Sequence, residues 1–194
     1  MKITSAEFLK SVTINDEKVY FDNRNEVVFI GRSNVGKSSL MNALLQKKGL
    51  VKTSSTPGKT RNANLFFVNE KYFFTDLPGY GFAKMGEEKR KDLDALISWY
   101  LEERKSYIKR VVVLIDSKIG AQATDLDMYK YLAEHELNPL IVLSKTDRLS
   151  NNEIQKSMRH AEEIFFGQWI LAVSAERWDG VEQLRKMIGE SLRN

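Results

Sequence analysis

Cysteine is absent from this 194-residue sequence. Without a thiol the protein can form no disulfide, no thiolate zinc site and no cysteine nucleophile, which fits a reducing compartment. Long apolar runs are also missing, since the longest strongly apolar run covers only residues 111–115, far short of the roughly 18 residues of a transmembrane helix. Residues 1–10 lack the apolar core of a signal peptide. We therefore expect a cytoplasmic protein with no membrane association.

Acidic residues are scarce in one part of the chain. The whole sequence has a formal net charge of +4, but no aspartate or glutamate occurs from residue 27 to residue 69. The cations of this acid-free segment are Arg32, Lys37, Lys47, Lys48, Lys52, Lys59 and Arg61. Such a segment favours a polyanionic partner, although lysines that serve only solubility would give the same charge.

The composition is that of a folded globular protein, since 42% of the residues are hydrophobic and 29% are charged. The length suits one domain, which we assign to residues 1–194, with residues 1–25 as an N-terminal extension packed on it. No repeat, low-complexity tract or proline-rich linker divides the chain. We expect the protein to be a monomer.

Short apolar runs alternate with amphipathic stretches of helical spacing, which predicts an α/β fold. The runs predict about six strands, near residues 26–31, 64–68, 71–75, 111–115, 140–143 and 169–173. Only two residues separate the second and third runs, so these should form an antiparallel hairpin in a mixed, mostly parallel sheet. Continuous apolar runs indicate helices on both faces of the sheet. Trp99 and Trp169 are expected in the core, and Trp178 is expected to be partly exposed.

The segment GRSNVGKS, residues 31–38, matches the pattern G-x-x-x-x-G-K-S/T and lies between a predicted strand and a predicted helix. We call it the phosphate loop. In this pattern the glycines let backbone N–H groups converge on phosphate oxygens at a helix N-terminus. Lys37 can reach the β- and γ-phosphates, and the Ser38 hydroxyl can bind Mg²⁺. The segment predicts a nucleoside triphosphate site.

The segment DLPG, residues 76–79, follows the predicted hairpin, so it should lie beside the phosphate loop at the carboxyl edge of the sheet. A carboxylate in the position of Asp76 usually holds Mg²⁺ through water, and the Gly79 N–H can sense a γ-phosphate. The DLPG segment therefore predicts the magnesium side of the nucleotide site.

The segment SKTD, residues 144–147, follows another predicted strand, and we call it the base loop. The Asp147 carboxylate can accept hydrogen bonds from guanine N1–H and the 2-amino group, a pair of donors that adenine lacks on that edge. The Lys145 stem can lie over the base plane. After the last predicted strand, Ser174 and Ala175 are placed to offer a backbone N–H to guanine O6. These residues favour GTP over ATP.

In order and spacing, GRSNVGKSS, TSSTPGKTRN, DLPGYGFAK, SKTD and VSAE resemble the motifs of the EngB (YihA/YsxC) family of bacterial GTPases, in the TrmE-Era-EngA-like class. The resemblance covers nearly the whole chain, and DLPGYGFAK after TSSTPGKT is its most specific part. It implies a Ras-like P-loop GTPase fold and the binding of GTP and GDP with Mg²⁺. It also implies a role in assembly of the large ribosomal subunit, through precursor rRNA and ribosomal proteins, and an association with cell division and septation.

Carried over by motif, the resemblance implies a set of nucleotide-binding residues, namely Gly31, Arg32, Ser33, Asn34, Val35, Gly36, Lys37, Ser38, Gly58, Lys59, Thr60, Arg61, Asn62, Asp76, Leu77, Pro78, Gly79, Ser144, Lys145, Thr146, Asp147, Val173, Ser174 and Ala175. Within this set it implies Ser38, Thr60 and Asp76 as the Mg²⁺ site, and Lys37, Thr60 and Gly79 as the residues that serve hydrolysis. The residues alone do not separate Thr60 from Thr53, Ser55 or Thr56.

Three positions bear on how well such a site would work. Ser144 stands where the common base-loop pattern has Asn, so the affinity for the nucleotide should be affected more than the choice of guanine. Tyr80 stands where many small GTPases have the Gln that orients the attacking water, so hydrolysis without a partner should be slow. Asn34 resembles the Asn that K⁺-stimulated relatives use to hold the cation, but an Asn that only fits the loop backbone would look the same.

Two other functions remain open at this point. A P-loop ATP-dependent kinase would need an Arg-bearing lid and an acceptor site, which we cannot identify in the sequence. A non-enzymatic RNA-binding module with a structural nucleotide site would bind RNA regardless of nucleotide, but the usual aromatic stacking motifs are missing. His135 and His160 lack the spacing of metal ligands and are expected at the surface.

Overall fold

Apolar residues of the central strands are buried on both faces of a mixed β-sheet, as their continuous hydrophobic runs require. The computed structural model describes residues 1–14, 16, 23–52, 62–81 and 86–193. The strands in this part of the chain are β1 (Ala6–Val12), β2 (Glu26–Gly31), β3 (Ala63–Val68), β4 (Tyr72–Asp76), β5 (Ile108–Asp116), β6 (Pro139–Ser144) and β7 (Ile170–Ala172).

Helices follow most of the parallel strands. They are α1 (Lys37–Leu45), α2 (Glu87–Glu103), α3 (Ala123–Glu134), α4 (Asn151–Ile164) and α5 (Val181–Ser191), with a 3₁₀ turn at Thr146–Arg148. Within the described residues, none of these helices combines the length and the apolarity needed to cross a membrane.

The strand order is β1-β3-β4-β2-β5-β6-β7. Strands β4, β2, β5, β6 and β7 run parallel to one another, while β3 is antiparallel to both β4 and β1. The predicted hairpin and the mixed, mostly parallel sheet are therefore confirmed. Because parallel strands end at one edge, the segments after β2, β4, β5, β6 and β7 meet there.

The central strand β2 divides the core into two layers. Val27 and Phe29 pack into the layer that α1 and α5 cover, whereas Val28 and Ile30 pack into the layer under α2, α3 and α4. Successive side chains of a strand point to opposite faces, so a strand buried on both sides is apolar at every position. This two-sided burial fixes the direction in which β2 delivers the phosphate loop.

A buried ionic cluster fixes the start of β2. Glu26 is fully buried, and its carboxylate accepts hydrogen bonds from Thr75 Oγ1 and Tyr100 Oη, both at 2.6 Å, and from Arg104 Nε at 3.1 Å. Burial raises the pKa of Tyr100 well above its ordinary value, so its hydroxyl stays a donor. Because a buried charge needs partners of this kind, the cluster ties β2 to β4 and α2.

Strand β1 was not among the strands predicted from the sequence. Among the described residues it pairs only with β3, at the edge of the sheet, and only its residues Ala6 and Val12 are buried. Phe8 and Leu9 are exposed next to each other, so the strand has no alternation of polar and apolar residues. An edge strand covered on one face gives too weak a pattern to be identified from the sequence.

The expectation that Trp169 packs in the core is wrong, because its side chain is 75% exposed. Strand β7 begins only at Ile170, after Gly167 with a φ of 79°. Trp169 joins the sheet through its backbone alone, since its carbonyl accepts the Ile141 N–H. Trp99 is partly buried against the α2 layer, and Trp178 is about half exposed as expected.

Candidate functional site at the carboxyl edge of the sheet

The phosphate loop leaves β2 and leads directly into α1, as its position in the sequence predicted. Gly31 is required by close packing, because a Cβ there would lie 2.7 Å from the Leu114 carbonyl oxygen of β5. Gly36 has a φ of 100° and precedes the first residue of α1, a backbone conformation that favours glycine. The first turn of α1 contains no acidic residue, so the free N–H groups and the helix dipole leave this end electropositive.

Lys37 and Asp76 form a buried ion pair across the site. The Lys37 ammonium contacts Asp76 Oδ1, and both side chains are almost fully buried. Asp76 is the last residue of β4 and pairs in register with Phe29 of β2, so the sheet fixes its position near the start of the phosphate loop. The structure thus joins the lysine of the phosphate loop to the carboxylate of the DLPG segment.

The DLPG segment lies directly on the phosphate loop. Leu77 is fully buried, and its N–H donates to the Phe29 carbonyl at 3.1 Å. A Cβ on Gly79 would lie 3.1 Å from both the Gly31 carbonyl oxygen and the Ser33 nitrogen. Only glycine lets the two backbones come this close without displacing one of them.

The side chain of Tyr80 is bound to helix α3. Its side chain is 5% exposed, and its hydroxyl donates a 2.8 Å hydrogen bond to Asp125 Oδ1. Its backbone forms a parallel β-bridge with Arg32. Burial and the neighbouring Asp125 carboxylate raise the pKa of Tyr80 well above its ordinary value, so the phenol keeps its proton.

The base loop is held from several sides. The Ser144 hydroxyl donates to the Val35 carbonyl at 2.6 Å, which joins the end of β6 to the phosphate loop. Lys145 adopts a φ of 59°, and its ammonium donates to the Asn34 carbonyl and, at 2.8 Å, to Asp116 Oδ2. Thr146 is buried in the 3₁₀ turn that follows.

Asp147 is half-buried, and its carboxylate is held by the segment after β7. The Ser174 hydroxyl donates to Asp147 Oδ1 at 2.8 Å, and the Arg177 guanidinium donates to the Asp147 carbonyl at 3.1 Å. Val173 is buried, and Ala175 is half-buried. A cleft of about 170 Å³ is lined by residues of three segments, the phosphate loop, the base loop and residues 173–176. The sequence-predicted parts of the site therefore meet at one edge of the sheet.

Part of the predicted set lies outside the described residues. Gly58, Lys59, Thr60 and Arg61 belong to this part. Asn62 is described and half-buried just before β3. The remaining predicted site residues all lie at the carboxyl edge of the sheet.

Sequence reasoning missed Asp116 and Asp125. Both follow signals that could have found them: Asp116 ends the apolar run of β5, and Asp125 lies three residues after Gln122, whose N–H it accepts in a capping box at the start of α3. Burial raises the pKa of Asp125, although hydrogen bonds from Gln122 and Tyr80 and the charge of Arg32 act in the opposite direction. Asp116 thus supports Lys145 of the predicted site, and Asp125 supports Tyr80, the residue that follows the DLPG segment.

A Ras-like sheet that carries its phosphate loop, DLPG segment and base loop at one edge defines the class of P-loop GTPases. The family model described as "50S ribosome-binding GTPase" matches residues 26–145. The chain is 39% identical over 191 residues to the probable GTP-binding protein EngB of Clostridium kluyveri, covering 97% of this chain and 96% of that protein.

A second relative, the probable GTP-binding protein EngB of Natranaerobius thermophilus, is 37% identical over 99% of this chain and 100% of its own. The crystal structure of a probable GTP-binding protein engB matches with a TM-score of 0.74 at 26% identity, over 87% of this chain and 98% of that chain. The chain therefore belongs to the EngB family of GTP-binding proteins. The family resemblance and the fold predicted from the sequence are both confirmed.

Proposed function

We propose that this protein binds GTP and GDP, hydrolyses GTP slowly with Mg²⁺, and acts in the cytoplasm as a monomeric switch in assembly of the large ribosomal subunit. The resemblance to the EngB family adds a need for the protein in normal cell division and septation. The observation that carries the proposal is the meeting of Lys37, Asp76 and Asp147 at one sheet edge. The family description as a 50S ribosome-binding GTPase supports the ribosomal part.

Guanine recognition is assigned to Asp147. Its Oδ1 accepts the Ser174 hydroxyl, an arrangement that orients the carboxylate towards the cleft between the base loop and Gly36. An oriented carboxylate can accept from both guanine donors at once, whereas adenine would leave it without a donor. The choice of guanine over adenine argues against the ATP-dependent kinase.

The residues present fit Mg²⁺ and a triphosphate. Carboxylate and hydroxyl oxygens are the ligands that this ion prefers, and Asp76 and Ser38 supply one of each beside Lys37. The ion would be held by Ser38, Thr60 and Asp76, and its chemistry there would be to neutralise charge on the phosphate oxygens. A bound phosphate would also offer the Lys37 ammonium an anionic partner in place of the Asp76 carboxylate.

Slow hydrolysis is expected because Tyr80 stands where many small GTPases have a water-orienting Gln. The Tyr80 hydroxyl is engaged by Asp125, so the residue after Gly79 offers no group that orients an attacking water. The Gly79 N–H and the Lys37 ammonium would stabilise the transferred phosphoryl group. A water-orienting residue and a catalytic arginine together accelerate GTP hydrolysis by about 10³ to 10⁵ in related systems. A partner on the ribosome would have to provide such groups.

K⁺ is proposed as a second cation through Asn34, whose side chain is exposed on the phosphate loop. Asn34 also has a φ of 62°, a conformation that Asn adopts more easily than most residues. The alternative explanation is therefore that Asn34 only fits the backbone of the loop. GTP hydrolysis in K⁺ and in Na⁺ separates the two. Stimulation by K⁺ that disappears in Asn34→Ala supports a cation site, and equal rates in both salts exclude it.

The ribosomal role is tested by co-sedimentation with purified ribosomal subunits. The GTPase switch predicts that the protein pellets with large subunits in a non-hydrolysable GTP analogue more than in GDP, and that Lys37→Ala abolishes the difference. The non-enzymatic RNA-binding module predicts equal binding in all nucleotide states. Binding to small subunits only, or to neither subunit in any state, would contradict the proposal.

A further inference from the structure

Asp116 lies close to both the phosphate loop and the base loop, and it belongs to neither of these two motifs. It is the last residue of β5 and pairs in register with Ser144, the last residue of β6. Its side chain is only 11% exposed. Both carboxylate oxygens are engaged, Oδ2 by the Lys145 ammonium at 2.8 Å and Oδ1 by the Lys118 N–H at 3.0 Å. A carboxylate fixed at both oxygens is a rigid acceptor.

Lys145 is stretched between this acceptor and the phosphate loop. Its ammonium also donates to the Asn34 carbonyl, and its stem passes Gly36, where a Cβ would lie 3.4 Å from Lys145 Cε. A free lysine side chain has four rotatable bonds, and ordering it costs conformational entropy. Because the Lys145 stem is already held at its end in the free protein, nucleotide binding needs little further ordering of it.

We infer that Asp116 is a positioning residue for the nucleotide: it holds the Lys145 ammonium against the phosphate loop, so that the lysine stem forms a fixed apolar surface for the base ring. This inference rests on the proposed guanine-nucleotide site. It assigns separate tasks to two carboxylates. Asp147 reads the donors of guanine, whereas Asp116 acts through Lys145 on a contact that any purine ring makes.

Electrostatics and positioning predict opposite effects for the loss of this carboxylate. Asp116 carries a negative charge close to a site for an anionic ligand, so its removal should strengthen GDP binding if charge alone mattered. If Asp116 positions Lys145, its removal should weaken binding instead. The direction of the change in affinity therefore separates the two effects.

The experiment measures GDP and IDP affinities of the full chain by calorimetry. Asp116→Asn should weaken both affinities by the same factor, about tenfold as for the loss of a charge-assisted hydrogen bond, and so leave the guanine preference unchanged. In a Lys145→Met background, which keeps the stem and removes the ammonium, Asp116→Asn should have almost no further effect. Asp92→Asn, at an exposed carboxylate on α2, is the matched control for lost charge and should bind as the wild type does.

Several outcomes would overturn the inference. Unchanged or tighter GDP binding by Asp116→Asn would show that the carboxylate does not position Lys145, and an equal loss in the Lys145→Met background would show that it acts by another route. A changed ratio of GDP to IDP affinity would place its effect on base reading. If the wild type itself fails to bind GDP, the proposed function fails, whereas a wild type that binds GDP with Asp116→Asn unaffected removes this inference only.

Discussion

The hydroxyl of Tyr80 donates a 2.8 Å hydrogen bond to the buried carboxylate of Asp125. This contact ties the residue after the DLPG segment to the first turn of α3. Asp125 in turn accepts the Gln122 N–H at 2.8 Å, so the same carboxylate caps the helix. The position that many small GTPases use to orient water is used here to fix the backbone of the site.

Tyr80→Phe should therefore lower stability without changing the chemistry. The variant leaves Asp125 Oδ1 buried without its donor, which costs about 1 to 3 kcal/mol of the free energy of unfolding. The backbone bridge between Arg32 and Tyr80 does not need the hydroxyl, so the basal rate of GTP hydrolysis should stay as in the wild type. Urea unfolding and a single-turnover assay measure the two quantities. A fall in the hydrolysis rate at unchanged stability would instead give the hydroxyl a part in the reaction.

Asp125 should also make stability depend on pH in a defined direction. Burial raises its pKa above the ordinary 3.8 in the folded protein. Between the unfolded and the folded pKa the native state binds more protons than the unfolded state, so the contribution of this group to stability is greatest below that window and decreases as the pH rises through it.

Asp125→Asn removes this titration while it keeps an acceptor for Tyr80. As the pH increases above 3.8, the free energy of unfolding of the wild type should fall relative to that of the variant. The altered helix cap adds a difference between the two proteins that does not depend on pH. Asp127→Asn, an exposed neighbour on α3, controls for the general effect of a lost charge. A difference between wild type and Asp125→Asn that stays the same at every pH would contradict the prediction.

Asp147→Asn should exchange the base preference of the site. The amide offers only one acceptor oxygen and a donor that faces the guanine donors, so GDP binding should weaken by roughly 2 to 4 kcal/mol. The 2-carbonyl of xanthine can accept from the new amide, so the variant should prefer XDP. Calorimetric titrations with both nucleotides measure this. Unchanged GDP affinity would remove the assignment of Asp147.

The sequence predicted the parts of the molecule that are governed by local pattern. The apolar runs of β2 to β7 and the phosphate loop follow local rules of burial and backbone geometry, so they could be identified without a structure. Strand β1 and Trp169 could not, because an edge strand and the entry into β7 depend on neighbours distant in the chain. Local signals mark Asp116 as a strand end and Asp125 as a helix cap, but they do not reveal the partners Lys145 and Tyr80, which lie far away in the chain.

The acid-free segment should contribute to the ribosome-facing surface through a loop that the structure holds in place. The side-chain amide of Asn42 in α1 donates from Nδ2 to the Val51 carbonyl at 2.8 Å, and its Oδ1 accepts the Val51 N–H at 2.9 Å. These bonds close the loop that follows α1. Lys47, Lys48 and Lys52 are all exposed on or beside it. Three cations on or beside a closed loop can meet a phosphate backbone with little further loss of entropy.

Neutralising Lys47, Lys48 and Lys52 together to Gln should reduce the salt dependence of large-subunit binding by up to about three counterions, and it should leave GTP affinity nearly unchanged because none of the three lines the nucleotide cleft. Co-sedimentation over a series of KCl concentrations gives the slope. The matched control neutralises three exposed lysines outside the acid-free segment, Lys130, Lys156 and Lys186, and should keep the wild-type slope. An unchanged slope in the first variant would place the contact elsewhere, with the exposed Lys89 and Lys91 at the start of α2 as the next surface to test.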